Sequence, residues 1–159
     1  MELEAIVVSS AGYSGKSLVA KLGIKSGHRV HVAGAPPGFA LDGLPEDVLL
    51  LGGSARSLDV ILLFVTDQKG LRGAFRRQTG RLTEAGMLWV AWPKKASKMP
   101  TDLTEDRVRD IALPEGYVDV KVCAIDETWS GLKLVKRRQL REPGEASREP
   151  RSRQPNLTD

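Results

Sequence analysis

Two apolar stretches decide the fold of this chain: LDVILLFV at Leu58–Val65 and GMLWVAWPKK at Gly86–Lys95. The first is apolar throughout except for Asp59, and the second stays apolar until Pro93. Such runs are typical of strands that are covered on both faces of a parallel sheet. The segment between them has helical spacing at Leu71, Ala74, Phe75, Gln78 and Leu82. A strand, a helix and a strand in this order predict a right-handed crossover unit.

Weaker signals on both sides extend this unit into one α/β domain. Further strands are predicted over Ala5–Val8, His28–Ala33, Val48–Leu51, Tyr117–Ile125 and Leu132–Lys136, with Val48–Leu51 expected to be buried. Short helices are predicted over Ser17–Leu22 and after Asp102 and Glu105, where Thr101, Asp102 and Thr104 favour a helix cap. We therefore predict a three-layer Rossmann-like, methyltransferase-like α/β fold with a mostly parallel sheet and an antiparallel C-terminal hairpin.

Charge is concentrated at the C-terminal end of the chain. The 159 residues carry a formal net charge of +4. Between Lys136 and Asp159 there are seven basic and four acidic residues, which account for +3 of that total. This segment has few large apolar side chains, so it cannot bury enough surface to fold alone. We predict one Rossmann-like domain over residues 1–138 and a basic, disordered tail over residues 139–159.

Cysteine and histidine usage argues against disulfides and metal sites. Cys123 is the one cysteine, which excludes an internal disulfide and a paired-thiol metal site. We expect it to be buried in a strand and inert. His28 and His31 have no cysteine or carboxylate at ligand spacing, so no metal site is predicted. The N-terminal apolar run is too short for a signal peptide or a membrane span, and we expect a cytoplasmic protein without membrane association.

Six stretches between Ala11 and Arg138 form a recognisable set: AGYSGK, KLGIKSGHRVHVAGAPPGF, LDVILLFV, LWVAWPKKAS, PTDLTEDRVRDIAL and VDVKVCAIDETWSGLKLV. In combination they resemble the bacterial domain-of-unknown-function 3052 family. The resemblance implies the fold and implies no particular activity.

One of these stretches also resembles motif I of the class I methyltransferases. In that motif a glycine loop approaches S-adenosylmethionine (SAM), and an acid after the second strand holds the ribose. Here LGIKSGHRVHVAGAPPG supplies Gly34 and Gly38, but Pro36 replaces the middle glycine and Val32 replaces the acid of the first strand. The second strand ends LLLGGS, without an acid. The resemblance implies a methyltransferase scaffold for which SAM is the cofactor to test.

Candidate ligand-binding residues follow the predicted strands, because ligands of such folds bind at the carboxyl edge of the sheet. They fall in three segments: Gly34, Ala35, Pro36, Gly38 and Phe39; Trp92, Lys94 and Lys95; and Asp126, Glu127, Trp129 and Ser130 in the predicted last turn. The lysines can hold a small anion or an acidic protein partner. The two carboxylates can do acid–base chemistry, pair with the lysines or cap the turn. Each segment also has a purely structural interpretation, as a connector, as solvated lysines or as a capped turn.

A basic stripe is the second candidate surface. Arg72, Arg76, Arg77 and Arg81 lie at helical spacing, which indicates a solvated face or, together with the tail, a nucleic-acid interface. The early stretch AGYSGKS is not a phosphate-binding loop of the Walker A type, because Ser10 stands where that motif needs its first glycine.

No catalytic residues are predicted. The sequence offers no serine–histidine–acid set with a nucleophile elbow and no metal ligands. We therefore predict a Rossmann-like binding or regulatory module without catalysis of its own. Two alternatives stay open: a SAM-dependent methyltransferase or other SAM- or nucleotide-binding protein, and a nucleic-acid-binding protein.

Overall fold

The computed structural model describes residues 17–137. The predicted strand at Ala5–Val8, the AGYSGK stretch and the predicted tail at residues 139–159 lie outside this range. The elements in chain order are α1 (Leu18–Leu22), β1 (Arg29–Ala33), β2 (Leu49–Leu50), β3 (Leu58–Phe64), α2 (Gln68–Thr79), β4 (Leu82–Pro93), a 3-10 turn (Lys95–Ser97), α3 (Glu105–Ala112), a second 3-10 turn (Leu113–Glu115), β5 (Tyr117–Ala124) and β6 (Trp129–Lys136).

The strands form one mixed sheet in the order β2-β1-β3-β4-β6-β5. Strand β1 pairs in parallel with β2 and β3, and β3 pairs in parallel with β4. Strand β6 runs antiparallel to both of its neighbours. The predicted crossover unit and C-terminal hairpin are therefore confirmed. Because the chain leaves β1 toward β2 and leaves β3 toward β4, the connections diverge between the carboxyl ends of β1 and β3, where such sheets hold ligands.

Helices α2 and α3 cover one face of the sheet, which we call the helical face. Strand β3 sends Ile61 and Leu63 to this face and Val60 and Leu62 to the other. Ile61 and Leu63 pack in one cluster with Phe75 of α2 and Val108 of α3. The alternation follows from the two-residue period of a strand. Asp67 caps α2, since its side chain accepts a hydrogen bond from the Gly70 N–H.

The opposite face, which we call the loop face, is covered by α1 and by the connection over residues 34–48. This connection contains no helix. Its side chains Phe39, Leu41, Leu44 and Val48 pack against the core cluster on this face, which we call the loop-face cluster. At the centre of the cluster Trp89 is fully buried, and its Nε1–H donates to the Leu22 carbonyl oxygen at 3.0 Å. This bond ties the end of α1 to the middle strand of the sheet.

Several boundaries and contacts differ from the sequence predictions. The predicted buried strand at Val48–Leu51 is a two-residue edge strand, and Leu49 and Leu50 are 50% and 56% exposed because no further strand pairs with β2 in the described part of the chain. Strand β4 begins at Leu82, which was expected on the helix, and so starts before the apolar stretch at Gly86–Lys95. The register between β3 and β4 is irregular there.

The predicted cap of α3 is confirmed for Thr104 and wrong for Asp102. Thr104 caps α3, its hydroxyl accepting from the Arg107 N–H at 3.1 Å. Asp102 instead accepts from the Gln68 N–H at 2.7 Å, so its carboxylate serves the first turn of α2. Cys123 lies in β5 as predicted but is only half-buried, and burial raises the pKa of its thiol. No helix among residues 17–137 combines the length and apolar composition that crossing a membrane requires.

Candidate ligand-binding edge of the sheet

The structure brings the three predicted ligand-binding segments together at the carboxyl edge. The loop with Gly34 follows β1, and Lys94 follows β4. The antiparallel pairing places Trp92 opposite Ser130 and Pro93 opposite Trp129. The Lys94 N–H then donates to the Thr128 carbonyl oxygen at 2.8 Å, which fixes the start of the lysine segment against the last turn. No sequence pattern points to this contact, because it involves only backbone atoms.

Three aromatic rings lie across this edge. Phe39 and Phe64 meet edge-to-face with ring centroids 4.9 Å apart, and Phe64 and Trp129 do so at 5.0 Å. This geometry suits the quadrupoles of the rings. Phe64 and Trp129 are almost fully buried, and Phe39 is half-buried. Phe64 was not predicted as a site residue, since in the sequence it is one more apolar residue of β3.

The backbone conformation of the loop after β1 explains why Gly34 and Gly38 are glycines. Gly34 has a φ of 72°, and a Cβ built on it would lie 2.7 Å from the Phe64 carbonyl oxygen. Gly38 has a φ of 84°, and the Phe39 N–H donates to the Pro36 carbonyl oxygen at 3.1 Å, as in a type II turn. Both glycines therefore allow the loop to fold back and to lay Phe39 on Phe64.

The last turn is shorter than predicted. Trp129 and Ser130 belong to β6, because the Ile125 N–H donates to the Trp129 carbonyl oxygen at 2.8 Å and closes the turn before them. Within the turn, one carboxylate oxygen of Asp126 accepts from the Thr128 and Trp129 N–H groups, both at 2.8 Å. This carboxylate caps the turn. Glu127 is exposed, and neither carboxylate forms an ion pair with Lys94 or Lys95 in the described structure.

We expect Asp126→Ala to lower the free energy of unfolding by about 0.5–2 kcal/mol, because two backbone N–H groups lose their acceptor. Asp126→Asn keeps an acceptor oxygen at the same place, so its stability should stay within about 0.5 kcal/mol of the parent. Urea unfolding of both variants checks this. An asparagine variant as unstable as the alanine variant would mean that the charge matters and that the cap does not.

The predicted arginine stripe is not continuous. Arg81 follows the end of α2 and does not continue its spacing; it is 7% exposed, and its guanidinium donates to the Ala55 carbonyl oxygen and to the Gln78 side chain. Arg76 forms two hydrogen bonds with Glu115, which raise the pKa of Arg76 and lower that of Glu115. Arg72 and Arg77 are exposed. Of the four arginines, only Arg81 is buried, while the exposed Arg76 shares its charge with Glu115. A nucleic-acid interface on this helix stays a prediction.

Solved structures similar to this chain include SAM-dependent methyltransferases. A SAM-dependent methyltransferase from Aquifex aeolicus is similar over 74% of this chain and 86% of its own, with a TM-score of 0.58 and 14% identity. The chain has their fold. Magnesium protoporphyrin IX methyltransferase from Synechocystis PCC 6803 was solved with bound SAM. It is similar over 75% of this chain and 74% of its own chain, with a TM-score of 0.53 and 12% identity. 1,6-Didemethyltoxoflavin-N1-methyltransferase from Burkholderia thailandensis is similar over 76% of this chain and 75% of its own chain, with a TM-score of 0.51 and 16% identity.

No family model and no curated protein sequence matches the chain. The resemblance to the domain-of-unknown-function 3052 family accordingly stays a prediction. At identities of 12–16% the similar structures describe the architecture of the chain. The chemistry of the chain has to be argued from its own residues.

The residues at the edge do not fit SAM in the way that motif I holds it. The space beside Gly34 is filled by the Phe64 carbonyl oxygen, and Pro36 has no N–H to offer a ligand. Leu51 and Gly52 follow β2, so no carboxylate is in place for a ribose. The fold of the methyltransferases is present, while the contacts that would hold their cofactor are used by the protein or missing.

Proposed function

We propose that this protein is a methyltransferase-fold binding or regulatory module that carries out no methyl transfer of its own. The observation that carries the proposal is the packing of the loop after β1 against the end of β3. Gly34 sits directly against the Phe64 carbonyl oxygen, and Phe39 covers the Phe64 ring. This is the place where an open α/β sheet holds its ligand. Because Phe39 and Gly34 pack against Phe64 at the crevice between β1 and β3, we expect the ligand surface of this protein to lie beside the crevice.

The rim of the crevice supports a ligand with negative charge. Lys94 and Lys95 follow β4 at this edge, half-buried and exposed respectively. Neither ammonium group forms an ion pair within residues 17–137. In the neighbouring turn, one carboxylate oxygen of Asp126 already accepts from two backbone N–H groups. The rim therefore has positive charge to offer a small anion or an acidic partner.

A SAM-dependent methyltransferase is the second candidate. It is favoured by the overall similarity to the Aquifex aeolicus and Synechocystis enzymes. This function requires the loop to move, because Phe39 and Gly34 fill the crevice against Phe64. The two candidates thus differ in one measurable property, the affinity of the resting protein for SAM.

A thermal-shift titration with SAM and S-adenosylhomocysteine separates them. A ligand at one hundred times its Kd stabilises a protein by about 2.7 kcal/mol, which for a chain of this size is a Tm increase of about 5 °C or more. We expect no increase at millimolar concentrations of either compound. A saturable increase of that size, with methyl transfer to any acceptor, would overturn the proposal.

The same assay tests the lysine rim with phosphate and citrate as probes. We expect the double variant Lys94→Gln, Lys95→Gln to lose any anion-induced increase in Tm and to keep its resting Tm. Lys69→Gln, an exposed lysine at the start of α2, is the matched control for a loss of one positive charge. A diffuse attraction predicts that the control loses about half as much of the increase as the double variant, in proportion to the charge removed. That result would contradict a ligand site at this rim.

A further inference from the structure

Two lysines face each other on the loop face of the C-terminal hairpin. Lys121 of β5 pairs directly with Lys133 of β6. The next pair along the strands on that face is Cys123 with Gly131, and both contact the loop-face cluster, which fixes the face of the lysines. Like charges directly opposite each other in a sheet are destabilising. A pairing of this kind needs an offsetting interaction.

A third lysine adds to the charge of the pair. Lys25, in the segment after α1, acts electrostatically on Lys133. Burial lowers the pKa of the half-buried Lys133, and the positive charges of Lys121 and Lys25 lower it further. Among residues 17–137 the ammonium groups of these three lysines form no hydrogen bond and no ion pair.

The carboxylates of the neighbouring strands are engaged elsewhere. Asp119 of β5 lies on the helical face, opposite Leu134, and pairs with Arg109 at 3.1 Å. Glu84 of β4 contacts Lys136 at 3.2 Å. The described part of the chain thus leaves the three lysines, Lys25, Lys121 and Lys133, without an anion of their own, and we call them the lysine cluster.

We propose that the lysine cluster is a binding site for a phosphorylated small molecule that carries more than one negative charge. Each ammonium group offers three donors to phosphate oxygens, and lysine is a common phosphate ligand. A multivalent anion between the three groups would remove the repulsion across the strands. The partial burial of Lys133 strengthens such a contact relative to one in open water.

This site is separate from the carboxyl edge of the sheet. Lys133 lies in the middle of β6, where it pairs with Trp89, whereas Lys94 and Lys95 follow the end of β4. The lysine cluster therefore goes beyond the proposed function and does not depend on it. The variants that test one site leave the other intact.

The test uses the full chain, inorganic triphosphate as the probe and Tm as the readout. The variants are Lys121→Gln and Lys133→Gln, with Lys69→Gln as the control. Without the probe we expect Lys121→Gln to raise Tm by about 1–3 °C, because a repulsive pair is removed. With millimolar triphosphate we expect a saturable increase in the parent and in the control, and the loss of most of it in both cluster variants.

Three results would overturn this assignment. A lower Tm of Lys121→Gln without the probe would mean that a carboxylate of the chain already neutralises the cluster. An equal loss in Lys69→Gln would mean that triphosphate is attracted by net charge alone. Stabilisation by a single-stranded RNA oligonucleotide through the same lysines, with none by triphosphate, would assign the cluster to nucleic acid.

Discussion

Trp89→Ala is expected to lower the free energy of unfolding by about 3–5 kcal/mol, which is a large part of the stability of a domain of this size. Trp89 is the largest fully buried side chain of the described structure. Removing it leaves a cavity in the middle of the loop-face cluster and takes the donor away from the Leu22 carbonyl oxygen. Urea unfolding followed by circular dichroism measures the loss.

Trp89→Phe separates the two contributions. The phenylalanine retains most of the apolar contact but has no N–H, so the Leu22 carbonyl oxygen loses its partner. We expect a smaller loss, about 1–3 kcal/mol. If both variants lost less than 1 kcal/mol, which is about the cost of an average substitution, the cluster under α1 would not be a close-packed core.

Gly34→Ala is expected to cost about 2–4 kcal/mol of unfolding free energy, since alanine carries a conformational penalty at positive φ and its Cβ would meet the Phe64 backbone. Gly38→Ala is the matched control. Its φ is also positive, but no atom lies within 4 Å of the added Cβ. It should cost only the conformational penalty, about 1–2 kcal/mol. Urea unfolding of the two variants isolates the contact between the loop and β3.

The same pair of variants bears on function. If Gly34 is needed because β3 lies against it, Gly34→Ala destabilises the protein whether or not a ligand is bound. Equal stabilities of Gly34→Ala and Gly38→Ala would mean that the loop leaves Phe64 easily. The crevice would then be available to a cofactor, and this result would favour the methyltransferase function.

The central strands and the terminal hairpin could be predicted because their patterns are local. Leu58–Val65 and Gly86–Lys95 are apolar runs rich in β-branched and aromatic residues, and such runs are typical of strands covered on both faces. The short stretch between the predicted strands Tyr117–Ile125 and Leu132–Lys136 favours antiparallel pairing, and β5 and β6 pair in this way. The meeting of the three predicted segments at one edge followed from the parallel order of the strands.

Other features depend on neighbours that are distant in the chain. The exposure of Leu49 and Leu50 depends on β2 being an edge strand, which the residues themselves do not reveal. Arg81 was expected in solvent, but it finds the Ala55 carbonyl oxygen across the start of β3. Asp102 caps a helix that begins 34 residues earlier. The spacing of residues in the sequence does not reveal such contacts, because they form only when the helices and strands pack together.

The helix-free connection over residues 34–48 gives the protein a layer with its own, lower stability. Its fold relies on turns, such as those closed by the Phe39 and Val48 N–H groups, and on side chains laid on the sheet. Segments with few backbone hydrogen bonds open locally at a fraction of the free energy that global unfolding requires. The Phe64 ring is thus covered by a segment that can open locally while β3 and β4 beneath it stay folded. Access to that crevice is governed by a local equilibrium that sequence changes in the connection can shift without altering the sheet.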